Sequence, residues 1–430
     1  MLSKQTRNVG ELQCQRDAYV QEMEALVLEC ELISKEDNTY RVILSDTVLF
    51  PEGGGQPCDL GTLTTNNQII VNVLNVQRDG LHCVHTTDGP VAVNETVLVR
   101  VHWQRRFDHM QQHSGQHLIS AIGDDMNLPT VSWSLGESRC AVEITVPADK
   151  ITSERLQVWQ RRVNEIIREH RPIRILDEHH LDDLPPLMRA KTDVHDAATG
   201  TLRWVSIEGV DVNACCGTHL KNTAELQAVI FFPTVDKLRG GSNSRVYFLA
   251  GERALMALND ALDTQKALTG LLRTTPDDHV ASVVQLQAEL KSSSRTCNVL
   301  WKEFAQWKGE ALAKVIQECA DEQVRLCWIR EDANMSVLQS ICSVIQDRTS
   351  AMDKPWVLIT LAGLIKEGGP MLVIASDAAT LSEEALKWAE KLNVKGNVNE
   401  KLRRWQGKSI ESWQHVKKTA KEFGFALVTE

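Results

Sequence analysis

The chain has no long hydrophobic run, few aromatic residues and no regular spacing among its cysteines. Each shortage excludes something. The longest apolar stretch, Trp356 to Ile365, is well short of the ~20 residues that a membrane-spanning helix needs. At the N-terminus, MLSKQTRNVGELQCQRD lacks the uninterrupted apolar core of a secretory signal. Eleven cysteines scattered over 430 residues argue for reduced thiols over a disulfide framework, so a cytoplasmic location is expected. A formal net charge of −10 excludes a protein that coats nucleic acid indiscriminately, because affinity for phosphate comes mainly from Lys and Arg.

What is present is an ordinary globular composition, 43% apolar and 24% charged, in a chain too long for one compact core. From about Val20 to Val101, short β-rich runs (Tyr40 to Leu44, Ile69 to Val76, Val97 to Val101) alternate with Gly, Asn and Asp, which predicts a small antiparallel barrel or sandwich. Inside it, PEGGGQP at Pro51 to Pro57 is either a wide turn or backbone brought close to a ligand, and the turn is the simpler reading. From Arg105 to about Gly251 the pattern is mixed. Helical stretches fall around His109 to Ile122 and Ser153 to Arg168, with strand-like runs at Arg203 to Ile207, Ala228 to Phe232 and Arg245 to Leu249. This predicts an α+β core. Residues Glu252 to Cys319 run almost without breakers except Pro276, as a helical hairpin or short coiled coil would. Val324 to Glu430 returns to strands interleaved with helices, a small C-terminal α/β domain. The expected class is α+β, divided at 1–104, 105–251, 252–323 and 324–430.

Local charge departs from the total. Lys387 to Glu422 carries ten basic residues, Arg403, Arg404 and Lys408 among them, against four acidic ones. It reads as a solvated helix face or as a surface for RNA.

Chemistry concentrates in FDHMQQHSGQHL, where His109, His113 and His117 stand at i, i+4 and i+8. Each step of four residues turns about 40° past a full circle, so neighbouring pairs share a helix face and can grip one metal ion. Further on, NACCGTHL sets Cys215 and His219 four apart around Gly217, which permits a tight fold. Two of the histidines with Cys215 and His219 complete a tetrahedral set of N and S donors suited to zinc, whereas magnesium and calcium want oxygen.

These residues resemble a family. HSGQH with CCGTH is similar to the HxxxH and CxxxH half-sites of the alanyl-tRNA synthetase editing domain and its free-standing AlaX relatives, long form included. VSIEGVDVNACCGTHLKNTAEL followed by RVYFLAGERAL, and the earlier PEGGGQP, agree with it in order and flanks. The resemblance covers most of Val20 to Gly251 and more weakly extends to the C-terminal part. It implies one Zn2+ per chain, held by His113, His117, Cys215 and His219. His109 is then left on the helix face, and Cys216 stands where the family usually has glycine. Gln116, Thr218, Gly54 and Gly55 become the expected substrate contacts, with water at or beside the zinc as the reacting group and 105–251 as the editing core.

The implied reaction is hydrolysis of the ester joining a wrong amino acid to tRNA(Ala), serine first and glycine second, in trans, because no adenylate-forming signature is found. A pocket for alanine rejects an added hydroxyl only about a hundredfold, so a second site built around that hydroxyl is needed. Ser-tRNA(Thr) is the alternative substrate, and a non-catalytic, zinc-stabilised RNA-binding or scaffold protein is the alternative from another class. Neither DNA nor a membrane is an expected partner.

Overall fold

The computed structural model describes residues 5–176, 203–238, 240–363, 369–399, 401–409 and 411–428. Leu364 and Ile365, the end of the longest apolar run, and Glu400 of the basic stretch lie outside them. The chain forms two compact units, Met1–Ala267 and Leu268–Glu430. The finer boundaries at 104, 251 and 323 stay expectations.

The first unit opens with a short helix α1 (Gln13–Arg16), then six strands: β1 (Glu22–Ser34), β2 (Thr39–Leu44), β3 (Gly61–Thr64), β4 (Ile70–Asp79), β5 (His82–Thr87) and β6 (Thr96–Val101). They close into an antiparallel barrel in the order β1-β2-β5-β4-β3-β6, which decides between the barrel and the sandwich expected. Closure leaves no open sheet edge. Strand β4 shows how the sequence fits the pleat. Val71 and Val73 point inward, and an irregular register between Val73 and Asn75 then brings Val76 inward in turn.

The barrel is followed by α2 (Trp103–Asp125), β7 (Thr130–Leu135), β8 (Cys140–Ile144), α3 (Ser153–Arg168), β9 (Ile173–Leu176), β10 (Trp204–Ile207), β11 (Asp211–Ala214), β12 (Val229–Lys237) and β13 (Ser244–Ala250). Two sheets result, in the orders β12-β13-β8-β7 and β11-β10-β9. Leu118, Ile119 and Ile122 of α2 meet Trp159 of α3 and Phe248 of β13 in one core. The rest of α2 is also covered, so its polar groups must find partners. Gln112 does so by mimicking a backbone: its Oε1 accepts from Ala250 N–H at 3.0 Å and its Nε2 donates to Ala250 O at 2.9 Å. Arg106, fully buried, pairs with fully buried Asp59 and also donates to the Ala18 carbonyl, fixing α2 to the barrel.

Across the following stretch, α4 (Glu252–Leu272) and α5 (His279–Glu318) are separated at Pro276; the coiled-coil pairing expected of them stays an expectation. The second unit continues with β14 (Val324–Arg330), α6 (Met335–Arg348), β15 (Trp356–Ala362), β16 (Gly369–Ala375), α7 (Ala378–Lys391), β17 (Gly396–Asn399), β18 (Arg404–Ser409), α8 (Trp413–Glu422) and β19 (Ala426–Val428). Its sheet runs β17-β18-β16-β15-β14-β19. Alternate residues serve opposite faces. Trp328, Leu358 and Ile374 pack with Leu312 of α5 and Ile341 of α6, while Cys327, Val357 and Val373 pack with Trp388 of α7 and Trp413 of α8. The basic stretch is therefore no single helix face: it runs through the end of α7, the β17–β18 hairpin and α8. Among the described residues no helix is long and apolar enough to cross a membrane.

Candidate metal centre

His113 and His117 lie one turn apart on buried α2, and the loop after β11 carries Cys215, Cys216, Gly217, Thr218 and His219. The ligating atoms of His113, His117, Cys215 and His219 all fall within 4.8 Å of one another. Cys215 Sγ is 3.4 Å from His113 Nε2 and 3.2 Å from His219 Nε2. Glycine at 217 is what admits the loop: a Cβ there would sit 2.3 Å from Cε1 of His113 and 2.9 Å from Oε1 of Gln56. Among the described residues, no other group of three or more His, Cys, Asp or Glu side chains converges in this way.

A second layer orients these groups. Gln56, the residue that follows the glycine run, accepts at Oε1 from His113 Nδ1 (2.9 Å) and from Thr218 N–H (3.0 Å), and donates from Nε2 to Thr218 Oγ1 (2.8 Å). A carboxamide oxygen only accepts, so the His113 proton resides on Nδ1 and the Nε2 lone pair faces Cys215. His219 Nδ1 pairs with Ser114 Oγ at 3.2 Å, and that hydroxyl accepts from Leu220 N–H at 3.0 Å.

Burial sets the electrostatics. It holds His113 and His219 well below the usual imidazole range, with neighbouring histidines adding to the effect, and takes His117 down to about 4. All three rings are neutral near pH 7 and free to ligate. Burial, reinforced by Cys216, pushes the Cys215 thiol up to about 12. A thiolate in that position needs a compensating cation. Buried Arg203 lies beside the loop, donating from Nη1 to Gly217 O (3.0 Å) and Cys215 O (3.4 Å). Three neutral imidazoles and one thiol in a largely buried cluster fit a borderline-soft divalent cation and suit a hard, oxygen-seeking one poorly.

The other residues expected at the site surround this cluster or stand apart from it. Cys216 is half-buried, with its Sγ turned to the glycine-rich loop, 3.3 Å from where a Cβ on Gly54 would lie. Gly54 and Gly55 adopt positive φ, 61° and 82°. Half-buried Gln116 donates to Ser120 Oγ at 2.9 Å, and Thr218 is fully buried against Gln56. His109 is outside the cluster, but it is not on an open helix face as expected: it is 3% exposed, and burial takes it to about 4. The cause is that α2 is covered on nearly every side. Sequence reasoning passed over Gln56, Ser114, Trp133 and Arg203. The first two stand inside the motifs that were singled out; nothing in the sequence around Trp133 or Arg203 marks them.

Residues 202–247 match the family described as Threonyl and Alanyl tRNA synthetase second additional domain. The chain is similar to Alanyl-tRNA editing protein Aarsd1 of Bos taurus, 41% identical over 289 residues that span 65% of this chain and 63% of that protein. It is 30% identical over 437 residues, 93% of each chain, to Putative alanyl-tRNA editing protein alaX of Saccharomyces cerevisiae. To Alanyl-tRNA editing protein AlaX-L of Pyrococcus horikoshii it is 26% identical over 303 residues, 70% of this chain and 72% of that one. The first match marks that segment alone as similar to a synthetase-type additional domain. The full-length likeness narrows this: the chain belongs to the alanyl-tRNA editing protein family, Aarsd1/AlaX.

Proposed function

We propose that the chain is a cytoplasmic trans-editing deacylase that hydrolyses the ester of Ser-tRNA(Ala), and secondarily of Gly-tRNA(Ala), with Zn2+ held by His113, His117, Cys215 and His219. One observation carries it: in a member of an editing family, two half-sites distant in sequence bring four N and S donors within 4.8 Å. Zinc bound there supplies a Lewis-acid charge that polarises or anchors an ester. The protein's own share is orientation. Gln56 and Ser114 fix His113 and His219, and Gln56 holds the cysteine loop through Thr218. Burial keeps bulk water away, so each polar contact counts for more. The backbone at Gly54 and Gly55, free of side chains, gives the aminoacyl end close approach, with Gln116 and Thr218 as the polar groups that read the serine hydroxyl. Beyond their contacts to Ser120 and Gln56 these groups keep hydrogen-bonding capacity that a serine hydroxyl can use and alanine cannot, which is how the site would spare the correct product.

Hydrolysis of Ser-tRNA(Ala), Ala-tRNA(Ala) and Ser-tRNA(Thr) by the purified full chain tests this. Serine should leave tRNA(Ala) much faster than alanine does, and equal rates overturn the editing assignment. Faster release from tRNA(Thr) would reassign the tRNA. Retained metal with no deacylation of any substrate would favour the scaffold reading.

A further inference from the structure

The glycine-rich loop is held on one side by an aromatic residue that no motif marks. Strand β7 is the edge of its sheet. Its register against β8 is irregular between Thr130 and Ser132, the kind of bulge that re-aims a side chain near a site. The next residue is Trp133. Its indole stacks on the His113 ring, centroids 4.6 Å apart and planes 26° apart. Its Nε1–H donates to Gly54 O at 3.1 Å. Gly55 leaves the notch in which the indole rests: a Cβ there would sit 2.7 Å from Trp133 Nε1 and 2.8 Å from Cε2. On its other side the loop meets Cys216. Trp133 thus touches a ligand ring and the loop whose next residue, Gln56, bonds that same ring.

We infer that Trp133 is a positioning residue that clamps the glycine-rich loop against His113 and so sets how closely the aminoacyl ester is held. The inference rests on the deacylase reading for its kinetic part only. A plain packing role accounts for a buried indole; it does not account for a half-buried one whose N–H and ring face are committed to the loop and to a metal-ligand candidate.

The test uses the full chain loaded with zinc or cobalt. Trp133→Phe keeps a ring over His113 and removes the N–H donor; Gly55→Ala drives a Cβ into the indole from the opposite side. Both should retain metal and the wild-type circular dichroism, and both should lower kcat on Ser-tRNA(Ala) by about 10- to 100-fold; KM should change little in Trp133→Phe, whereas Gly55→Ala, which adds a side chain where the aminoacyl end approaches, should raise it too. The double variant should be no worse than the poorer single one, because the two lesions break the same contact. Independently of activity, Co2+ should quench a component of tryptophan emission in the wild type that is missing in Trp133→Phe. Unchanged kcat in Trp133→Phe overturns the clamp, and equal quenching in wild type and Trp133→Phe overturns its placement by the metal centre. A wild type that quenches normally and deacylates nothing defeats the deacylase reading and leaves the placement standing.

Discussion

Gln56 and His113 are joined by a 2.9 Å hydrogen bond that ties the glycine-rich loop to α2, and the same carboxamide oxygen takes up Thr218 N–H from the cysteine loop. One side chain therefore registers both halves of the cluster. Outer-layer partners of metal-ligating histidines are typically worth about 10- to 100-fold in metal affinity or activity. Gln56→Ala should show a loss of that size in a chelator competition and in deacylation. Wild-type affinity and rate would reduce Gln56 to a packing residue.

The two adjacent thiols are separable. Cys215 Sγ lies among the imidazole nitrogens, and Cys216 Sγ faces Gly54. Cys215→Ala should purify with little or no metal, and Cys216→Ala with about the wild-type content. His117→Ala and His109→Ala should divide in the same way. Metal analysis of the four variants checks the choice of thiol and the helix register; full zinc in Cys215→Ala with loss in Cys216→Ala would mean that the wrong thiol was chosen.

The barrel contains a pH-sensitive group far from this chemistry in sequence. Buried His85 donates from Nδ1 to Val42 O (3.3 Å) and pairs through Nε2 with Thr47 Oγ1 (3.0 Å). Burial takes its pKa down to about 4, partly offset by the Val42 bond. Because the folded value is depressed, the unfolded chain binds more protons between pH 6.5 and 4, and stability falls as pH drops through that window. The contribution is intact above about 6.5, and on the order of 2 kcal/mol of it is gone by pH 5. His85→Gln, which keeps a donor and an acceptor and cannot titrate, should show a smaller stability difference between pH 7 and pH 5 in urea unfolding. An unchanged difference would exclude His85 as a source.

How legible all this was depended on the kind of information each feature needs. The strands of the N-terminal part were readable from short β-rich runs between Gly, Asn and Asp, but barrel and sandwich share that pattern, and only the β1–β6 pairing decides between them. The cluster was readable because spacing set candidate ligands four residues apart in both motifs, and the family likeness then chose His113 and His117 over His109 and joined them to Cys215 and His219. His109 misled because a helix exposed on one face and a helix covered all round carry the same local pattern; only the packing of β13 and the barrel around α2 decides between them. Trp133 and Gln56 act through partners 79 and 57 residues away in sequence, and no spacing rule reports such pairs.

Part of the basic stretch is engaged in pairs, while exposed cations stand on the β17–β18 hairpin and on α8. Lys387 meets Glu383 at 2.6 Å and Lys391 meets Glu422 at 3.6 Å, and Arg404 donates to Gln346 at 3.0 Å. Lys395, Lys401 and Lys408 are exposed on or beside the hairpin, and tRNA phosphates are the partners proposed for them. Phosphate contacts give affinity and register without taking part in bond breaking. Changing all three to Gln in the full chain should raise KM for Ser-tRNA(Ala) and leave kcat near the wild-type value. It should also flatten the salt dependence of binding by roughly 0.7 to 0.9 in log–log slope for each phosphate that is no longer neutralised. The same region exposes Leu386, Val398 and Leu402, so self-association is the rival role, and sizing the triple variant separates the two. An unchanged KM and salt slope would remove the hairpin from tRNA binding, and a change of mass in the same protein would assign it to assembly between copies.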